Sequence, residues 1–129
     1  MKEFARNQWE RAQRTIKTAV ALLDSDPESA ASRAYYAAFH ALTALFALRS
    51  RSFKKHTALR AALHKELIKS DQWPVELGRD YDFLMDLREI SDYSGVGRVS
   101  EENARRAVET AKRIIAACQD ELSSLEEKG

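Results

Sequence analysis

Between Pro27 and Leu48 the only charged or imidazole side chains are Glu28, Arg33 and His40; the rest are alanines, large apolar residues, two tyrosines and small hydroxyl residues. At about 100° per residue such a segment divides into two faces. One carries Ala31, Tyr35, Ala38, Phe39, Leu42, Leu45 and Phe46, side chains large enough to fill a core. The opposite face carries Arg33, Tyr36, Ala37, His40, Ala44 and Ala47. A helix that is apolar almost all round is buried on more than one side. Alanines let a backbone approach closely, so the second face is expected to receive a second subunit or another helix of the same chain. Whatever this chain folds into must be built around that helix.

The flanking segments repeat the helical signal. Trp9, Ala12, Ile16, Ala19, Val20 and Leu23 recur at three- and four-residue steps and predict a helix over 4–23. Asp26 can cap the next helix, with Pro27 at its first position. A shorter helix is expected over Thr57–Lys69, and another from Pro74 to about Tyr93. The last begins at a Ser100 cap and has Ala104, Ala107, Val108, Ala111, Ile114, Ile115, Cys118, Leu122 and Leu125 as its stripe. Four glycines and two prolines leave little material for the turns of an all-β fold. The expected architecture is all-α: an up-and-down four-helix bundle with an additional short helix, five helices in all. The length, 129 residues, suits a single domain over 1–129.

Several function classes drop out. The N-terminal residues are charged from Lys2 onward and show no apolar leader, and Ala34–Leu48 is too short to span a bilayer. A cytoplasmic protein without membrane contact is expected. The lone Cys118 can form no internal disulfide and sits on an apolar stripe, where a buried, inert thiol is expected. His56 and His64 have no carboxylate between them, so no metal site and no cofactor is expected. Gly95-Val-Gly97 follows a helix and lacks both a third glycine and a following Lys-Ser/Thr; it reads as an interhelix turn, not a phosphate loop.

The net charge is only +1, but its distribution is uneven. No Asp or Glu occurs between Ser29 and Lys65, while Arg33, Arg49, Arg51, Lys54, Lys55, Arg60 and Lys65 all fall there, with every histidine of the chain. Such asymmetry marks either an anionic partner or a solvated basic surface. Arg33 and His40 are seven residues apart, almost two turns, so they share an azimuth about 10 Å apart along the axis, with Tyr36 between them. An arginine on so apolar a helix needs a reason. One is a carboxylate on another helix, Asp86 or Asp92, with His40 a satisfied core histidine. The other is a functional site.

The segment Ser32-Arg-Ala-Tyr-Tyr-Ala-Ala-Phe-His-Ala41 resembles the signature helix of HEPN domains (higher eukaryotes and prokaryotes nucleotide-binding), in particular the small stand-alone prokaryotic group. Lys55-His56, Glu76-Leu-Gly-Arg79, Asp86-Leu-Arg88 and Asp92-Tyr93 extend the likeness in order along the chain, over roughly Arg14 to Cys118. The resemblance implies a homodimeric helical bundle in which Arg and His of both subunits meet at the interface. It also implies a metal-independent endoribonuclease, the toxin of a toxin–antitoxin pair encoded beside a nucleotidyltransferase of the MNT kind. Arg33 and His40 are then the catalytic pair, with Arg33 clamping phosphate and a near-neutral His40 as general acid or base. Tyr36 is auxiliary, and Arg49, Arg51, Lys54 and Lys55 hold flanking RNA phosphates. Tyr93 is a further candidate, as the tyrosine an antitoxin modifies. The residue after the motif arginine, often polar in active members, is Ala34 here. A second reading therefore stays open: a non-catalytic module that dimerises and binds a nucleotide or a nucleotidyltransferase partner.

Overall fold

The computed structural model describes residues 2–93 and 99–128, the side chains of Tyr93 and 125–128 excepted. Five α-helices follow one another: α1 (Glu3–Leu22), α2 (Pro27–Leu48), α3 (His56–Ala62), α4 (Val75–Tyr93) and α5 (Glu101–Lys128). No strand occurs among the described residues. The Gly95-Val-Gly97 turn, Tyr93 as a modification target and the Leu125 side chain lie outside the described residues. No described helix is long and apolar enough to cross a membrane.

The predicted boundaries of α2 are those observed, for local reasons. Asp26 accepts a hydrogen bond from the Ser29 amide at 3.2 Å and another from the Ser29 hydroxyl at 2.6 Å, with Pro27 at the first position. These bonds hold the Asp26 carboxyl below its ordinary range. At the other end Ser50 adopts φ 61°, and the Arg51 amide returns to the Phe46 carbonyl at 2.8 Å, a left-handed termination of the kind glycine usually provides. Ser100 caps α5 by accepting from the Asn103 amide at 3.0 Å. The third predicted helix differs in kind. α3 runs on into a π-helical segment, Leu63–Ile68, where the Lys69 amide reaches the His64 carbonyl five residues back. Gly78 on α4 faces this segment: a Cβ there would meet His64 Cε1 at 2.8 Å.

α2 is the hub, packing against α1, α4 and α5. Tyr35, Leu42, Leu45 and Phe46 from its large-residue face are fully buried, with Tyr81 and Leu84 of α4 and Ile114 of α5. Phe39, expected in that core, is only partly covered. Cys118 is buried, and burial pushes its thiol well above the ordinary range. On the alanine face, Ala30, Ala37 and Ala44 are fully buried, and on α1 so are Ala5, Ala12 and Ala19. Both sets recur every seven residues. α1 packs chiefly on α2, so of the two occupants expected for the alanine face it is another helix of the chain that fills it. The inward face of α1 is accordingly centred on its alanines, leaving Trp9 and Ile16 at the flank and Val20 43% exposed.

Candidate functional site

The α1/α2 contact decides what becomes of the polar residues at its edge. Arg33, Tyr36, Phe39 and His40 of α2 and Arg11 and Thr15 of α1 line a cleft of about 260 Å³. Arg33 and His40, predicted to share a face, thus open onto the same space. No carboxylate lines it among the described residues. Arg33 is exposed, and neither Arg33 nor Arg11 makes an ion pair among the described residues. Asp92, one carboxylate considered for Arg33, is taken by Arg88 at 3.4 Å and by the Ser32 hydroxyl at 2.9 Å; the other, Asp86, is exposed.

His40 is nearly buried, 9% exposed, and its Nδ1 lies 2.9 Å from Oε1 of Gln8 on α1. An amide oxygen only accepts, so Nδ1 carries the proton and Nε2 keeps its lone pair. Burial, then the Arg11 guanidinium and then His56, hold the imidazole down to about 4. The near-neutral value expected from the sequence is therefore not found in the single chain. At neutral pH this imidazole is uncharged, with the Nε2 lone pair free, but the burial and positive neighbours that keep it neutral also make it a weaker base than a free imidazole.

Next to the cleft lies a larger one, about 470 Å³, lined by Asp26, Glu28, Ser29, Ser32, Ser91 and Asp92 and again by Arg33 and Tyr36. These two residues form the wall between the clefts. Tyr36 is held in place by Arg88, whose Nε donates to its hydroxyl at 3.3 Å and whose guanidinium lies 5.6 Å from its ring centroid. Behind the wall runs an aromatic relay. Tyr81 donates to the Tyr35 hydroxyl at 3.3 Å, and Tyr35 lies 2.6 Å from Nδ1 of His56. The His56 ring stacks on Phe39 with centroids 4.4 Å apart. Burial first, and then Arg88, depress the His56 imidazole.

The basic connector is arranged differently. Arg49 is half-buried and pairs with Glu121 at 3.3 Å and Gln72 at 3.0 Å. Arg51 pairs with Glu66 and lies over the Phe53 ring. Lys54 and Lys55 are exposed. None of the four lines the cleft of Arg33 and His40. Sequence reasoning missed four residues that the fold brings to that region: Gln8, Arg11, His56 and Arg88. The seven-residue spacing of Ala5, Ala12 and Ala19 was the available signal for the first two, because it puts Gln8 and Arg11 on the same side of the contact face. Among the described residues no group of three or more His, Cys, Asp or Glu is placed to hold a metal ion.

Comparison with known proteins agrees with this architecture. The HEPN domain model matches residues 5–122. A UPF0332 protein of Thermotoga maritima is 30% identical over 116 residues, covering 89% of this chain and 88% of that protein. A protein of Methanocaldococcus jannaschii named "Putative toxin MJ0142" is 28% identical over 96 residues, covering 74% of this chain and 65% of its own length. The crystal structure of TT1696 from Thermus thermophilus superposes with a TM-score of 0.78 at 22% identity, covering 93% of this chain and 99% of that one. At that identity the likeness is one of fold.

Proposed function

This chain belongs to the HEPN domain family, and from that premise we propose that it is a metal-independent endoribonuclease, a cytoplasmic toxin whose Arg33 and His40 work in a composite site between two copies of the chain. The observation that carries the reading is the cleft in which Arg33, Tyr36 and His40 meet without a carboxylate. The name of the Methanocaldococcus jannaschii relative points to the toxin half of the reading.

The chemistry asks little of the protein. The 2′-hydroxyl of RNA attacks the adjacent phosphorus, the P–O5′ bond breaks, and the products are a 2′,3′-cyclic phosphate and a 5′-hydroxyl. A base removes the 2′ proton, an acid protonates the departing 5′-oxygen, and positive charge steadies the pentavalent phosphorus. His40, neutral with Nε2 free of its proton, is the base. Arg33, a planar fork that makes no ion pair among the described residues, clamps the phosphoryl oxygens. One chain has no equally placed acid, and a two-fold copy would bring a second imidazole; a phosphate beside that ring raises its proton affinity. Tyr36, fixed by Arg88, orients the substrate. Lys54 and Lys55, and less so the paired Arg49 and Arg51, receive flanking phosphates.

Metal-free cleavage of single-stranded RNA in excess chelator tests this, comparing wild type with His40→Ala and Arg33→Ala and reading product ends by mass. Equal activity of the three would sink the ribonuclease. A monomer at micromolar concentration would sink the composite site.

Ala34 favours a second reading. It is fully buried and directly follows Arg33, at the position where active relatives often have a polar residue. In this reading the chain is a non-catalytic dimeric module that binds a nucleotide or a nucleotidyltransferase of the MNT kind as its antitoxin. Wild-type protein that binds a nucleotide but leaves RNA intact would favour it.

A further inference from the structure

The cleft holds one charged residue that neither the sequence motif nor the proposed reaction uses. Arg11 comes from α1, the helix that covers the alanine face of α2, and reaches the same space as Arg33 and His40. Two arginines facing one small space repel each other unless something negative lies between them. Several arginines elsewhere have that partner: Glu121 for Arg49, Glu66 for Arg51, Asp82 for Arg60, Asp92 for Arg88 and Asp80 for Arg113. Here it supplies none among the described residues. The other side chains lining the space are a threonine hydroxyl, a tyrosine and a phenylalanine, which suit a sugar and a base better than they suit a protein carboxylate.

We propose that Arg11 is the second phosphate-binding cation of this cleft, so that one phosphodiester of RNA is held between the guanidiniums of Arg11 and Arg33 beside the imidazole of His40. This deepens the ribonuclease reading by naming the residue that completes its anion site, and it rests on that reading only for the identity of the anion. It also couples occupancy to protonation. The charged groups that bear on His40 are Arg11 from α1 and His56 from α3, with Arg33 of its own helix on the same cleft; Gln8 holds Nδ1. With the cleft empty, Arg11 opposes a proton on His40. An anion between the arginines cancels that opposition and adds attraction, so the ring gains proton affinity when substrate is in place.

The test uses the full chain and the His40 ring resonances, titrated by NMR without ligand, with inorganic phosphate, with a 5′-mononucleotide and with a 2′-deoxy-substituted RNA hexanucleotide that cannot be cleaved. In wild type the hexanucleotide should raise the His40 midpoint by at least about one unit. Arg11→Gln should raise the ligand-free midpoint, because a repelling charge is gone, and should weaken hexanucleotide binding about tenfold or more. It should also lower the salt slope of binding by about 0.7, one phosphate contact on a single strand. Arg11→Lys should keep the slope and recover part of the affinity. Arg11 is exposed, so thermal melting should be unchanged in both variants. Hexanucleotide affinity and salt slope unchanged in Arg11→Gln would overturn the proposal. Tight binding of the mononucleotide with none of the hexanucleotide would overturn the assignment to RNA. If the Arg11-dependent shift and slope are seen but wild type never cleaves RNA, the anion clamp stands and the nuclease falls.

Discussion

Two groups of arginines come from sequence that looks alike and end in opposite situations. Arg33 on α2 and Arg49 just beyond its end both lie in the long stretch without carboxylates, about 24 Å apart along a helix axis. Arg49 finds Glu121 and Gln72, and Arg51 finds Glu66. Arg33 and Arg11 find no such partner among the described residues and face one cleft with His40. A run of local positive charge is therefore a poor guide to where an anion binds. The fold pairs Arg49, Arg51 and Arg60 of that run with its own acids, and Arg33 is the arginine it leaves over, on a cleft shared with His40.

Substitutions at the two ends of α2 should separate these roles. The largest effect is expected from His40→Ala: a loss of about 100-fold or more in RNA cleavage, the usual contribution of a positioned acid or base. A melting curve beside the assay shows whether the fold survives. Next comes pH. The unfolded His40 ring takes a proton below about 6.5, the folded one only near about 4. Between those values the unfolded chain binds more protons, so stability falls as pH falls through that window, by up to about 3 kcal/mol. Urea unfolding at pH 7.5 and 4.5 measures this, and His40→Gln should remove the larger part of the difference.

Tyr35→Phe tests the relay behind the cleft. It removes the hydroxyl that joins Tyr81 to His56, and a loss of about 1–2 kcal/mol is expected from leaving buried partners unmatched. At the connector, Arg49→Gln should cost about 0.5–1 kcal/mol through its half-buried pair and leave RNA affinity within about twofold. A large affinity loss with unchanged stability would break the distinction between the two ends. The smallest change is Ser50→Gly: relief of the left-handed backbone at φ 61° should raise stability by less than about 1 kcal/mol, seen as a slight rise in Tm.

Much of the fold was legible because its determinants are close in sequence. Asp26 and Pro27 start α2, and their effect extends three residues. The shared azimuth of Arg33, Tyr36 and His40 needs only the pitch of a helix. The inward face of α1 was harder to place: its large residues suggested a stripe through Val20, while the alanines at 5, 12 and 19 were what fitted α2. Hydrophobic size marks what would like to be buried; close packing on an alanine face selects what is small enough to fit. The π-helical turn after α3 had no local signal, and it lies where His64 meets Gly78 and Asp82 of α4.

By itself the sequence determined that this chain is a helical bundle around α2, that it carries the HEPN-like segment, and that Arg33 and His40 point the same way. Those are consequences of periodicity and capping, which act over a few residues. Only the tertiary structure decided that α1 fills the alanine face, that Gln8 fixes the tautomer of His40 from 32 residues away, and that Glu121 neutralises Arg49 from 72 residues away. The charge state of a histidine and the freedom of an arginine depend on burial and on the nearest opposite charge. Both are set by which distant segments the core brings together.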